Sequence, residues 1–241
     1  MSTESDFSRA ASFEVALDRL AEATNELGFD AVDYGFMPRA LALDGRYNPP
    51  EIFSRNFPRR WLAGWTRYRC DDPFLYAGYP RNLPLDWKQV QDADWLSVVQ
   101  RQAITYLEGI GFSDGLTVPI HLPQGGFAFV TAVTHEREGA WRAQQAQVSD
   151  RLFVLAHGFH AAVASRFGLR ADTPRVTKLS PRECEMLSHA AAGLSAPETA
   201  RRVHRSVETV RRQRKSAMQK LGAHTVAQAV AHAMGQGLLS P

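Results

Sequence analysis

The chain is poor in cysteine. It has 241 residues and two cysteines, Cys70 and Cys184, which fall on either side of the domain boundary drawn below. Such a pair builds no disulfide framework and has no metal-ligand spacing, so a reducing, cytoplasmic setting is expected. Long apolar runs are missing as well. No stretch approaches the roughly 18 residues that a membrane span needs. No charged-then-apolar segment of the secretory kind opens the chain. No membrane partner is therefore expected. Internal repeats and low-complexity tracts are also absent, which argues against a repeat architecture.

Signatures of catalysis are equally thin. There is no Gly-x-Ser-x-Gly elbow, and Cys70 has no evident base. Gly125 and Gly126 sit in a hairpin turn, without the strand–turn–helix context of a phosphate loop. His157 and His160 are three apart on a helical pattern, and His121 and His135 lie on or near strands. No acidic ligand converges with them. No enzyme activity, metal or cofactor is expected. A phosphoacceptor domain is excluded too, because Asp71 and Asp72 precede a proline in a stretch that does not alternate strand with helix.

Net charge is small, +3 overall, but it is unevenly spread. From Pro174 to the end there are 11 basic and 4 acidic residues, a net of +7, against −4 for the rest. A positive field confined to one small segment steers that segment toward phosphate.

That segment reads as four short capped helices. Ser180 and Glu183 make a capping box, with Pro181 at the first helical position. Ser195 and Glu198 repeat the device, Ser206 caps a third helix, and Thr225 with Gln228 opens a fourth. Gly193 and Gly222 follow the first and third helices, where a left-handed residue is often needed. The third helix carries an apolar stripe of Val207, Val210, Ala217 and Leu221. Arg211, Arg212 and Lys215 project elsewhere, with Glu208 and Thr209 beside them. Arg214 lies near the stripe and is expected to snorkel to its rim. Tight turns leading to a basic helix are the pattern of a helix-turn-helix DNA reader.

The residues preceding it read as α+β. Phe13, Leu17, Leu20, Ala21, Thr24 and Leu27 mark an amphipathic helix closed by Gly28. Residues 31–36 read as a strand and 58–68 as a short aromatic helix. Residues 94–107 read as a helix burying Trp95, Val98, Val99, Ala103 and Tyr106. Residues 115–122 and 127–133 read as strands joined by a turn at 123–126. Ser149 is placed to cap a helix running to Phe167, before Gly168. Helices outside antiparallel strands give an α/β/α sandwich. The expected organisation is a ligand-binding and dimerisation domain over 1–168, a linker over 169–177 and a helix-turn-helix domain over 178–241.

Both halves resemble one family. Leu179, Glu183, Leu187, Gly193, Glu198, Val210, Leu221 and Gly222 stand in the pattern of the LuxR-type DNA-binding domain over about sixty residues. Gln213 departs from it, because the family usually has histidine there. Pro58, Trp61, Asp72, Pro73, Trp87 and the run from Gly115 to Gly126 resemble the autoinducer-binding domain of LuxR-type quorum-sensing receptors. The resemblance implies a pocket for an N-acyl-homoserine lactone. Trp61 would donate its indole N–H to the lactone carbonyl, and Asp72 would accept from the ligand amide. Trp87 would pack on the lactone ring, and Thr131 would reach the acyl carbonyl or a 3-substituent. Gly115 would allow close approach of the backbone.

Departures qualify that ligand set. Trp65 and Phe57 stand where family members often carry tyrosine, and Tyr68 is a substitute source of a hydroxyl. A non-lactone ligand, plant-derived for example, or no ligand at all, is the alternative. Without the resemblance, the same residues have structural roles. Trp61 and Trp65 are spaced as core aromatics, and Asp72 before Pro73 is a good N-cap. The partners implied are duplex DNA, an autoinducer, a second copy of the chain and RNA polymerase. Dimerisation through helices at 149–167 and 225–238 implies a palindromic site.

Overall fold

The computed structural model describes residues 7–42, 46–135, 140–168, 179–236 and 238–239. The chain forms two compact units, Met1–Ala171 and Asp172–Pro241. The expected linker, 169–177, lies outside the described residues.

In the first unit, helix α1 (Phe13–Asn25) is followed by strands β1 (Ala31–Met37) and β2 (Glu51–Arg55). Short helices α2 (Trp61–Trp65) and α3 (Pro73–Gly78) precede strand β3 (Leu85–Asp86) and helices α4 (Lys88–Gln91) and α5 (Val98–Gly109). Strands β4 (Asp114–His121) and β5 (Phe127–Thr134) lead to the long helix α6 (Gln145–Phe167). The sheet order is β2-β1-β5-β4-β3, and all its pairings are antiparallel.

The three central strands are buried on both faces, so period-2 alternation separates two apolar sets rather than core from solvent. Val32, Tyr34, Phe36, Leu116, Val118, Ile120 and Val130 meet Leu17 and Leu20 of α1 and Leu152 and Phe159 of α6. On the opposite face, Ala31 and Val133 join Trp61, Trp65, Phe74, Trp87, Ile104 and Leu107. The fold is the expected α/β/α sandwich, and its second face carries the short aromatic helices.

A buried ion cluster ties the sheet edge to α6. The Arg142 guanidinium donates to both carboxylate oxygens of Asp86 at 2.9 and 2.8 Å and is also paired with Asp114. Gln145, in the first turn of α6, donates to Asp86 at 2.9 Å. Burial pushes the Asp86 carboxyl up, but Arg142 outweighs it and holds the group below its ordinary value.

Several boundaries differ from expectation. Helix α5 begins at Val98, under a reciprocal box between Ser97 and Gln100. Its inward face is therefore Gln100, Ala103, Ile104 and Leu107, while Trp95 and Val98 stand 53% and 73% exposed. Helix α6 starts at Gln145, so Ser149 lies inside it instead of capping it. The helix expected over 58–68 closes after Trp65. Strands β2 and β3 were not foreseen; both are short and flank the sheet.

The second unit holds α7 (Pro181–Ala191), α8 (Ala196–Arg202), α9 (Val207–Lys220) and α10 (Val226–Gly235). Each expected N-cap is formed, although the Gln228 side chain accepts from the His224 backbone and not from Thr225, and Gly193 and Gly222 take φ of +80° and +61°. Helix α8 is only 7 residues long. The Glu183 carboxylate accepts from Ser216 at 2.7 Å and Lys220 at 2.8 Å as well as from the Ser180 backbone, which fastens α7 to α9. Burial acts to raise its pKa, but Lys220, Ser216 and Ser180 outweigh it and hold the carboxyl at about 2. Arg214 does not snorkel. It is 8% exposed, and its guanidinium donates to the Leu194 carbonyl and the Thr199 hydroxyl, both at 2.9 Å. Two inward acceptors, Leu194 in the α7–α8 turn and Thr199 on α8, draw it in.

Candidate functional site: an aromatic pocket and a basic groove

The pocket in the first unit lies between the second face of the sheet and helices α2, α3 and α5. Beneath it runs a row of residues in register across the strands, Ser54, Asp33, Thr131 and Thr117, of which Asp33 and Thr131 line the cavity. Adjacent strands place directly opposed residues on one face, so this row is a polar stripe on an otherwise apolar sheet. Indole groups bind both of its ends. Trp61 donates to the Ser54 hydroxyl at 3.0 Å, and Trp87 donates to the Thr117 hydroxyl at 3.0 Å. The Thr117 and Thr131 hydroxyls lie 3.1 Å apart, within hydrogen-bonding distance.

The walls are stacked rings. Phe57 lies on Trp61 at 4.2 Å between centroids, and Phe74 lies on Trp87 at 3.9 Å. Trp65, Ile52, Leu107 and Phe129 complete the lining. Phe129 lies over β1 because position 35 is glycine; a Cβ there would stand 2.1 Å from its ring. The rings leave a cavity of about 20 Å³, roughly one water molecule. A drug-sized ligand needs on the order of 300 Å³ or more, so occupancy requires the rings to part.

Two carboxyls face this space. Asp72 lines the pocket and also caps α3, its Oδ1 accepting from the backbone N–H groups of Phe74 at 2.8 Å and Leu75 at 3.3 Å. Burial raises its pKa, and the two N–H groups only partly offset that, leaving it at about 6. Asp33 is 7% exposed, and its Oδ1 has no hydrogen-bond partner among the described residues. Burial, and then the neighbouring charge of Asp72, push its carboxyl well above the ordinary range. Two like charges this close do not both ionise readily. The two N–H groups of the α3 cap favour the charged form at Asp72, and no comparable donor among the described residues does so at Asp33.

The second unit presents a groove of about 350 Å³ lined by Arg182, Met186, Val203, Arg205, Thr209, Val210, Arg212 and Gln213. Glu208, Arg211, Arg212 and Lys215 are exposed on α9. Arg211 stands 4.0 Å from Glu208, a loose pair open to water. Thr209 is half-buried, and its hydroxyl lies 2.8 Å from that of Ser206.

Residues 12–163 match the family described as "Autoinducer binding domain". Residues 177–233 match "Bacterial regulatory proteins, luxR family". The chain belongs to the LuxR family of autoinducer-binding regulators. This LuxR-family regulator is 28% identical to the transcriptional activator protein RaiR of Rhizobium etli over 191 residues, 77% of this chain and 76% of that protein. It is 27% identical to the transcriptional activator protein VanR of Vibrio anguillarum over 192 residues, 79% of this chain and 78% of that protein. The fold is shared with Escherichia coli SdiA, at a TM-score of 0.65 and 20% identity over 98% of this chain and 95% of that one. It is also shared with CepR2 of Burkholderia cenocepacia, an N-acylhomoserine-lactone-dependent transcription factor, at a TM-score of 0.54 and 20% identity over 67% of this chain and 91% of that one. The regulator is thus a helix-turn-helix DNA-binding protein with an autoinducer-binding domain.

In this LuxR-family regulator, Phe57, Trp61, Trp65, Asp72, Trp87 and Thr131 meet in one pocket. Two candidates do not line it. Tyr68 packs against Trp65 and Tyr106 behind the wall. Gly115 serves strand packing, since a Cβ there would stand 2.6 Å from the Ala132 carbonyl. Sequence reasoning missed Asp33, Phe74 and Phe129 in the pocket, and Arg182 and Arg205 in the groove. The signal for Asp33 was present: an aspartate between Val32 and Tyr34 opposes strand propensity.

Proposed function

We propose that the regulator senses an N-acylated autoinducer of the acyl-homoserine lactone type and binds a palindromic promoter site as a dimer. The observation that carries this is the convergence of Asp72, Trp61, Trp87 and Thr131 on one ring-walled pocket. Asp72 accepts the ligand amide N–H, and Trp61 exchanges its Ser54 bond for the head-group carbonyl. The acyl tail lies among Phe57, Trp65, Leu107 and Phe129, each buried methylene adding about 0.8 kcal/mol. Ligand binds the folded pocket and not the unfolded chain, so it stabilises the first unit and shifts the dimer population. Helices α6 and α10 supply the dimer contacts. Arg211, Arg212 and Lys215 face phosphates or base edges, and RNA polymerase is the downstream partner.

Melting temperature against acyl-homoserine lactones of graded tail length tests the ligand. A saturable rise that grows with tail length is expected. A flat response in a folded, DNA-competent chain would remove the lactone class. Asp33 favours a second reading, a ligand that is not a plain acyl-lactone.

A further inference from the structure

The Asp33 carboxyl is not explained by a plain acyl-lactone. It is more than nine-tenths buried, its Oδ1 is unpartnered among the described residues, and it lines the pocket in the middle of the polar floor. Leaving a buried polar oxygen unpaired carries a desolvation penalty that an apolar residue would avoid. An aliphatic ligand tail laid against it would keep that penalty. Its neighbours describe what would relieve it. Asp72 is close enough to couple with it electrostatically. Thr131 is its direct partner on β5. Among the described residues, none lining the cavity is Lys, Arg or His, so none of them balances two carboxylates. The walls are tryptophan and phenylalanine rings, whose faces attract cations. Carboxyl groups beneath and π faces around form a site for a positively charged donor, whose own charge favours ionisation of both carboxyls.

We infer that the natural ligand carries a protonated amine close to its amide, held between Asp33 and Asp72. This rests on the reading of the pocket as the autoinducer site and names the ligand class more narrowly: an N-acyl amide with an ammonium group on the acyl side, beside Thr131. The ammonium lets both carboxylates ionise together, and Asp72 keeps its helix-capping bonds. A carboxylate-bearing ligand is disfavoured by the same charges.

The test uses the full chain and four probes: N-octanoyl-homoserine lactone and its 3-amino, 3-oxo and 3-hydroxy derivatives. Affinity is read by titrated melting shift and tryptophan fluorescence, for the wild type and for Asp33→Asn. The 3-amino probe should bind at least about tenfold tighter than the unsubstituted one, the scale of a charge-assisted bond. Asp33→Asn should erase that preference. The ranking of probes on the wild-type protein stands by itself should Asp33→Asn fold poorly. Equal binding of amino and unsubstituted probes, a preference for the 3-oxo acceptor, or an amine preference that survives Asp33→Asn would each overturn the inference while leaving the lactone reading intact. No saturable shift with any of the four, in a chain that still binds DNA, would overturn both.

Discussion

Asp72 carries two roles on one side chain. Its Oδ1 caps α3, and its carboxyl faces the pocket. The sequence offered these as rivals, and the structure shows that the cap and the pocket position coexist. The consequence for stability has a definite sign. The folded-state pKa is about 6, raised from an ordinary 3.8. Folding therefore favours the protonated form. The stability this group contributes is full below the unfolded value and is lost as pH rises through about 6. Asparagine can keep the cap without the charge. Asp72→Asn should melt higher than wild type at pH 7.5, by an amount equivalent to about 1–3 kcal/mol, and the difference should vanish near pH 4. Parallel melting curves between pH 4 and 8 would refute this. The same substitution should abolish most of the ligand response, because an amide N–H then faces an amide NH₂ in place of an acceptor. An undiminished response would leave Asp72 as a cap only.

Among the elements, the junction between the sheet edge and α6 has the clearest energetic consequence. Arg142 pairs with Asp86 and Asp114 together, and its removal leaves two buried carboxylates without their shared cation. Arg142→Met should destabilise the first unit by about 3–5 kcal/mol, seen as a lower denaturation midpoint with an unchanged far-ultraviolet spectrum before the transition. A change below 1 kcal/mol would show that water replaces the guanidinium. Helix α9 behaves differently. Its inner face is fixed by Val210, Arg214 and Ala217, while Arg211, Arg212 and Lys215 are exposed on its outer face. Lys215→Ala should leave folding intact, weaken DNA binding, and lower the slope of log affinity against log salt by about one if it touches a phosphate. Unchanged affinity and slope would remove Lys215 from the interface.

Taken as a whole, the molecule separates sensing from DNA reading, with opposite net charges on its two halves. On the dimer proposal, two α9 helices read half-sites about one helical turn apart, roughly 10 base pairs. Inserting about five base pairs between half-sites turns one of them to the opposite face of the duplex. Binding measured by mobility shift should then fall at least about tenfold, and about ten inserted pairs should restore part of it. Insensitivity to spacing would mean that each copy binds alone.

Local sequence determined the second unit almost completely. Its caps, left-handed glycines and apolar stripe are interactions over three or four residues, so Ser180, Ser195, Ser206 and Thr225 announce their helices without knowledge of the rest. The α/β/α class was legible for a related reason: α1 shows its helical period, and β4 and β5 are short apolar runs separated by a turn. One failure was itself local, a cap that went unread, and the others depended on partners distant in sequence. Trp95 and Val98 turned outward because the Ser97–Gln100 box reset the helix start. Arg214 turned inward because Leu194 and Thr199 wait for it across a turn. The pocket divides in the same way. Trp61, Asp72 and Thr131 were legible from motif, whereas Asp33 became a pocket residue only when antiparallel register set it opposite Ser54 and Thr131. The sequence by itself determined the helices of the second unit, the charge separation and the family pattern, because these reside in near neighbours. Tertiary structure alone decided which polar groups share one buried space, because register and burial are properties of the assembled sheet.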